Sequence, residues 1–514
     1  MKCLLLLALT RINRSKSVPS SDNASSHTVW VQQSTNCILK ALDCSIWINS
    51  IQLAIIDKYV MWIAYFPTDR KLNRPTGEMP RPNSCKGAFR KGMETLITNL
   101  PALWIWDHQI HYTAETTFMK TPTFAALLFK FAFASFLSLP TTELAADDAT
   151  IVIDYPTTID LNDQAHRQVI VDREPGQYLG HPTTCLLEDG KTMLCVYPKG
   201  HGRGAIMYKR SDDGGLTWSN RLPTPDNWST SQEVPTLHRV VDAKGKKRII
   251  MWSGLYPARL AVTEDDGANW SELRSAGDWG GIVVMGFVEP LKTGKGHYMA
   301  MFHDDGRFFS KNAKRTGTFT LYKTLSVDGG LTWSKPDAVY KSSEIHLCEP
   351  GCIRSPDGTK LAVLLRENSR SKNSHVIFSE DEGKTWTVPR ELPLSLTGDR
   401  HTGKYSADGR LLISFRCNSP TASRKGRPYE GDWVAWVGTW DDIVHGRNGQ
   451  YSVRFKDNTK GYDTTYPGVE VLPDDTFVVT TYGHWIQGEA PYILSVRLKL
   501  SELDEIGSDP DDKQ

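Results

Sequence analysis

The sequence predicts an all-β protein, a six-bladed β-propeller occupying residues 147–514. Two observations carry that prediction. An octapeptide of the form Ser/Thr-x-Asp-x-Gly-x-x-Trp recurs at 211–218, 263–270, 326–333 and 379–386, an interval of about 50–60 residues that suits propeller blades. Strand–turn–strand patterns, often with Asp-Gly in the turn, recur at a similar interval between these copies. The 40 glycines and 16 tryptophans agree, since tight turns and large flat packing groups suit a β-rich chain.

The chain before residue 147 has a different character. Residues 119–146 read MKTPTFAALLFKFAFASFLSLPTTELAA, a Met-Lys start, an apolar run and small residues before Asp147. That order is expected of a secretory signal peptide, and the run, broken by Lys130, is short for a membrane span. Translation beginning at Met119 is the expectation this raises, with residues 1–118 a spurious or disordered extension lacking the later repeat. The competing reading is a leader at Met1–Leu9 followed by a genuine N-terminal domain.

Each octapeptide follows a β-like run, such as AIMYKR before Ser211 and HVIF before Ser379. The Asp is expected to accept turn N–H groups, the Gly to take positive φ, and the Trp to plug the gap between blades. These Asp residues are structural. The last two blades lack the octapeptide, and IVIDY at 151–155 is expected to close the ring against YILSVRL at 492–498.

Composition excludes some functions. Lys+Arg 60 against Asp+Glu 59 calls for no nucleic-acid or anionic-membrane partner. Cysteine spacing offers no zinc site, and no metal or organic cofactor is implied. Cys185 and Cys195 flank a predicted hairpin turn that would let them sit across from each other, while bridging Cys348 to Cys352 would need a tight loop.

Counting back eight positions from the turn residue of each blade gives a second repeat. Asp189 leads to His181, Asp357 to Glu349, Asp408 to Arg400 and Asp474 to Tyr466. In the second blade Asp242 leads to Val234, with Glu233 adjacent, and in the third the position falls near Met285. Rotation about the propeller axis should gather these side chains around one pocket. The following strands end in Tyr197, Trp252, Arg366, Arg416 and Tyr482, a second ring in which the aromatics could equally be core. Arginine forks match carboxylates, so a mouth lined by Arg, Tyr, His and Glu suits an anionic sugar.

The octapeptide is the Asp box, and residues 150–500 resemble the sialidase superfamily. In that family a Tyr attacks the anomeric carbon, a Glu takes its proton, an Asp is the acid/base and three Arg hold the substrate carboxylate. A neutral nucleophile suits an anomeric centre that itself carries a carboxylate. Glu349 and Arg366 in CEPGCIRSPDGTKLAVLLREN resemble the family's Glu-then-Arg blade, and Tyr466 in TTYPGVEVLPDDTF resembles the nucleophile's setting. Arg416 or Arg400 takes the further arginine role, with Arg424 and Arg427 as other candidates.

The first blade departs from the family. Gly180-His181-Pro182 stands where Arg-Ile-Pro is expected, and the loop YPKGHGRGAIMYKR holds no carboxylate. Lys199, His201 and Arg203 stand there instead, so Arg203 could replace the lost arginine. For the missing acid, Asp304 and Asp305 in MFHDDGRFF, or His181 or His201, are the candidates.

The function expected is a secreted or periplasmic glycoside hydrolase resembling exo-α-sialidases, acting on glycans with a terminal sialic acid or related acidic sugar. The alternatives are a glycan-binding propeller without turnover, and a hydrolase or lyase of another uronate-like sugar working through His181. No membrane insertion of the mature domain is expected.

Overall fold

The computed structural model describes residues 155–421 and 427–508, with three strands nearer the N-terminus, Leu4–Arg11, Ser50–Ile56 and Tyr59–Tyr65. The chain divides into two compact units, Met1–Thr141 and Thr142–Gln514. In the first unit the three strands form one antiparallel sheet. The signal-like segment 119–146 lies outside the described residues.

The second unit is the six-bladed propeller. Its six sheets begin with strands Thr183–Leu186, Thr236–Val241, Ile282–Pro290, Leu347–Arg354, Gly398–Tyr405 and Gly468–Val471. Each of these first strands contacts its counterparts in the two neighbouring blades, so together they form a closed inner ring. Apolar side chains from facing blades fill every interface between them, which gives six buried clusters around the ring.

The Asp boxes follow the third strands of the first four blades. In the first, Asp213 Oδ1 accepts from Thr217 N at 2.9 Å and Ser211 Oγ accepts from Gly215 N at 2.8 Å. The same pair of bonds recurs at Asp265, Asp328 and Asp381. Gly215, Gly267, Gly330 and Gly383 all have φ near +80°, a conformation that a Cβ would strain. Each box Trp packs back on the preceding blade, as Trp333 does on Trp252 with ring centroids 5.3 Å apart.

Two expectations need correction. The ring closes through Gln168–Asp172, not IVIDY, and this strand pairs antiparallel with Tyr492–Leu498 to complete the last blade. Of IVIDY only Tyr155 is described, and it is not in a strand. A separate segment, Thr158–Asp160, covers the outer edge of the fifth blade in parallel with Tyr451–Lys456.

The second correction concerns Cys185 and Cys195. Cys185 stands across from Leu194, and Cys195 across from Thr184. One residue of register puts the two thiols on opposite faces of the sheet, in different interface clusters. All five cysteines of the propeller are free.

Candidate active site

A repeated backbone distortion aims the inner ring of side chains. The first strands of blades three, four and five each break register, between Ile282 and Phe287, Cys348 and Gly351, and Asp399 and Thr402. Inside each bulge one non-glycine residue is left-handed: Val283 at φ 46°, Glu349 at 49° and Arg400 at 57°. His181 at 52° holds the same place in blade one, and Thr465 at 63° directly precedes Tyr466. A bulge re-aims a side chain, and such strain persists only where the surroundings enforce it. The third-blade position is Val283, two residues before the expected Met285, because the KTGKG turn is not the Asp-Gly turn used for counting.

Glu349 and Tyr466 meet. The Tyr466 hydroxyl donates to Glu349 Oε1 at 2.5 Å, across 117 residues of sequence. Arg366 Nη1 donates to the same oxygen at 2.8 Å, and Glu349 Oε2 is buried without a hydrogen-bond partner. Burial opposes ionisation of Glu349. Arg366, the Tyr466 hydroxyl and Arg416 outweigh it and hold the carboxyl below its ordinary value. Burial, then the Glu349 charge, push the Tyr466 phenol far above its ordinary value. At rest the pair is therefore a carboxylate and a neutral phenol.

A buried carboxylate absent from the sequence reading organises the arginines. Asp399 Oδ2 accepts from Arg416 Nε at 2.8 Å and Nη2 at 2.5 Å, and from Asn418 Nδ2 at 3.0 Å. Its Oδ1 accepts from Arg370 Nη2 and lies 3.1 Å from Arg366 Nε, an ion-pair distance without hydrogen-bond alignment. Burial opposes the Asp399 charge, but Arg366, Arg416 and Arg370 prevail and hold it far below the usual carboxylate range. Arg416 spends its remaining nitrogen on the carbonyls of Tyr462 and Thr464. It is wholly committed inside the protein. Arg400 packs over Tyr466, 5.7 Å from the ring centroid, donates to Met285 O at 3.2 Å and has a buried Nη1 without a partner. Arg427 donates to Thr397 O and Ser419 Oγ, and Arg424 lies outside the described residues.

His181 sits edge-on to Tyr466 with ring centroids 4.4 Å apart. Its Nδ1 accepts from Gly202 N at 3.2 Å, which leaves Nε2 to donate to the Tyr482 hydroxyl at 3.2 Å. Tyr482 in turn donates to Asp463 Oδ1 at 3.3 Å. Burial and the neighbouring His201 push His181 well below its usual pKa, so it is a neutral ring with both nitrogens engaged. His201 is exposed at the rim, 2.5 Å from the Tyr178 hydroxyl and 3.3 Å from Asp463. Of the second ring, Trp252 and Tyr197 are interface core, and only Tyr482 reaches this chain of bonds.

A cavity of about 480 Å³ opens over this assembly, lined among others by Tyr466, Glu349, Arg366, His181, His201, Arg203, Asp305 and Glu233. Arg203 is exposed on its wall. Asp305 is buried and paired with Arg307 at 2.8 Å and Arg315 at 3.3 Å. Asp304 does not line the cavity: its carboxylate accepts from Gly306 N at 2.7 Å and Phe308 N at 3.2 Å, which pins the turn.

The register reading did not single out Glu233, His303, Asp399 or Asp463. His303 is the next-to-last residue of the second strand of blade three, across from Ile282, as Arg366 lies across from Cys348 and Arg416 from Asp399. Its Nδ1 accepts from Glu349 N at 3.3 Å, so it helps hold the left-handed backbone of Glu349. Extending the second ring to blade three would have found it. Among the described residues no group of three His, Cys, Asp or Glu is arranged to hold a metal ion.

A model of the BNR repeat-like domain family matches residues 246–426, a span that includes Glu349, Arg366, Arg400 and Arg416 and ends before Tyr466. A sialidase of Clostridium perfringens is 26% identical over 261 residues, which is 47% of this chain and 56% of that protein. A sialidase of Paraclostridium sordellii is 26% identical over 165 residues, 28% of this chain and 39% of the relative. The chain thus spans less than two thirds of the length of each of these relatives. Among solved structures, a protein of unknown function from Dyadobacter fermentans has a TM-score of 0.49 at 16% identity, covering 65% of this chain and 98% of that one.

Proposed function

We propose that the propeller is a glycoside hydrolase of the exo-α-sialidase type, removing a terminal sialic acid or related acidic sugar from glycans. The observation that carries this reading is the 2.5 Å contact between the Tyr466 hydroxyl and Glu349 inside an open cavity. A binding site needs donors and stacking surfaces; a phenol on a carboxylate held ionised is suited to proton transfer. Tyr466 Oη bonds to the anomeric carbon as the glycosidic C–O bond breaks, and its proton passes to Glu349. Water then displaces the tyrosine, which recovers its proton from Glu349. Arg366 lines the cavity and stands nearest to that pair, placed to meet the sugar's carboxylate. The two clostridial sialidases that align with about a quarter and a half of the chain support the same reading.

A glycan-binding propeller without turnover is the second reading, favoured by one observation: Asp399 already occupies Arg416 and touches Arg366. Incubation with a 4-methylumbelliferyl α-sialoside separates the two. Steady release of the fluorophore is expected. Saturable binding with no release would leave the lectin, and neither binding nor release would overturn both.

The same proposal places the enzyme outside the cytoplasm, on the strength of the segment 119–146. Among the described residues no helix is long and apolar enough to cross a membrane. Terminal sequencing of exported protein should find a mature start close to Asp147; a start within residues 1–118 would overturn this placement.

A further inference from the structure

Cleavage of a glycosidic bond to a sugar alcohol needs a proton for the departing oxygen, and the first-blade loop holds no carboxylate to give one. We propose that Glu233, from the second blade, is that proton donor, an inference that rests on the hydrolase reading above.

Glu233 stands just before the strand Thr236–Val241 and lines the same cavity as Tyr466, Glu349 and Arg366. The backbone is built closely around its side chain. Oε1 accepts from Val234 N at 3.1 Å. A Cβ on Gly202 would fall 2.9 Å from Oε1, and one on Gly254 would fall 3.0 Å from the Glu233 Cβ and 3.1 Å from its Cγ. Gly202 also has φ +70°, and its N–H is the donor that orients His181 against Tyr466. One glycine therefore closes the loop over the carboxyl and sets the ring beside the nucleophile.

The other candidates are occupied. Asp304 pins a turn, Asp305 lies between two arginines, His181 is neutral with both nitrogens bonded, and His201 at the exposed rim is bonded to the Tyr178 hydroxyl beside Asp463. Glu233 has no cation in bonding contact among the described residues. Burial pushes its carboxyl up to about 7, against the pull of the Val234 N–H and Arg203. Glu349, in the same cavity, is held below its ordinary value. Two carboxyl groups driven apart by their surroundings divide the roles of acid and base. The Glu233 proton moves to the glycosidic oxygen as that bond breaks and the alcohol leaves. In the second half Glu233 takes a proton from the attacking water, whose oxygen bonds to the anomeric carbon as Tyr466 departs.

Arg203, His201, Glu349 and Arg400 are the charged and titratable groups around Glu233, and burial outweighs them. The donor must be protonated, so turnover should fall as pH rises through about 7.

The test is leaving-group dependence in Glu233→Gln, with Glu233→Asp alongside and thermal unfolding as the control for fold. On a sialoside of a poor leaving group, such as sialyllactose, kcat/KM, which reports bond cleavage and not the later water step, should fall by about 10²–10⁴-fold, and the alkaline limb near pH 7 should vanish from what remains. On a nitrophenyl sialoside, whose leaving group needs no proton, the fall in kcat/KM should stay within about tenfold. Glu233→Asp should recover part of the sialyllactose activity. Equal losses on both substrates, or an alkaline limb that persists in Glu233→Gln, would overturn the assignment while leaving the hydrolase reading intact. A wild-type protein that cleaves neither substrate would overturn both.

Discussion

Replacing Tyr466 with phenylalanine is expected to lower kcat on an α-sialoside by at least about a thousandfold while the propeller stays folded. The substitution deletes one oxygen. The ring keeps its edge contact with His181, 4.4 Å between centroids, and its place under Arg400 at 5.7 Å. Glu349 loses the 2.5 Å bond but keeps Arg366 at 2.8 Å, so its charge remains paired. The loss of one hydrogen bond to a charged group should reduce stability by about 1.5–3 kcal/mol, small beside the kinetic loss. Steady-state release of the aglycone and a denaturant titration measure the two effects separately. Residual activity within tenfold of the wild type would remove Tyr466 from the chemistry, and with it the proposed reaction.

The largest effect on stability is expected at Asp399. Asparagine there keeps the shape and removes the charge that Arg416, Arg366 and Arg370 all face. Breaking a buried ion group by removing one partner costs about 3–5 kcal/mol, because the remaining charges stay buried without compensation. Guanidinium unfolding at pH 7 should show that loss as a lower midpoint. The pH dependence has a definite sign. The folded-state pKa of Asp399 is depressed, so its contribution is complete above the unfolded value of about 4. It is lost progressively as pH falls below that point towards the folded value. The gap between wild type and Asp399→Asn should therefore narrow in acid and stay constant from about pH 5 to 8. A variant within about 1 kcal/mol of the wild type at pH 7 would mean that the arginines hold one another without it.

The parts of this structure written in local patterns were legible in the sequence. An Asp box bonds to its own turn, so spacing alone located four blades, and the Asp-Gly count then brought Glu349 to Tyr466 across the ring. What escaped depended on register or on burial. The second-blade turn lacks Asp-Gly, so the count lands on Val234 and leaves Glu233 as its neighbour. The count lands on Arg400 and not on the adjacent Asp399, whose role shows only in the cross-strand pairing with Arg416. IVIDY and QVIVD are equally β-branched, and nothing short of pairing with Ser495 and its neighbours distinguishes the closing strand. The strained φ of His181, Glu349 and Arg400 has no compositional trace at all.

The strand Gln168–Asp172 is synthesised before the first blade yet belongs to the last. Its native partners, Ile493–Val496, exist only once nearly the whole propeller has been made, so this pairing is among the last the chain can form. His181 and Tyr466 come from the two blades that meet at this seam. The contact of His181 with Tyr466 is accordingly completed only with the last blade, and a chain cut short within that blade would lack the wall of the cavity that the seam supplies.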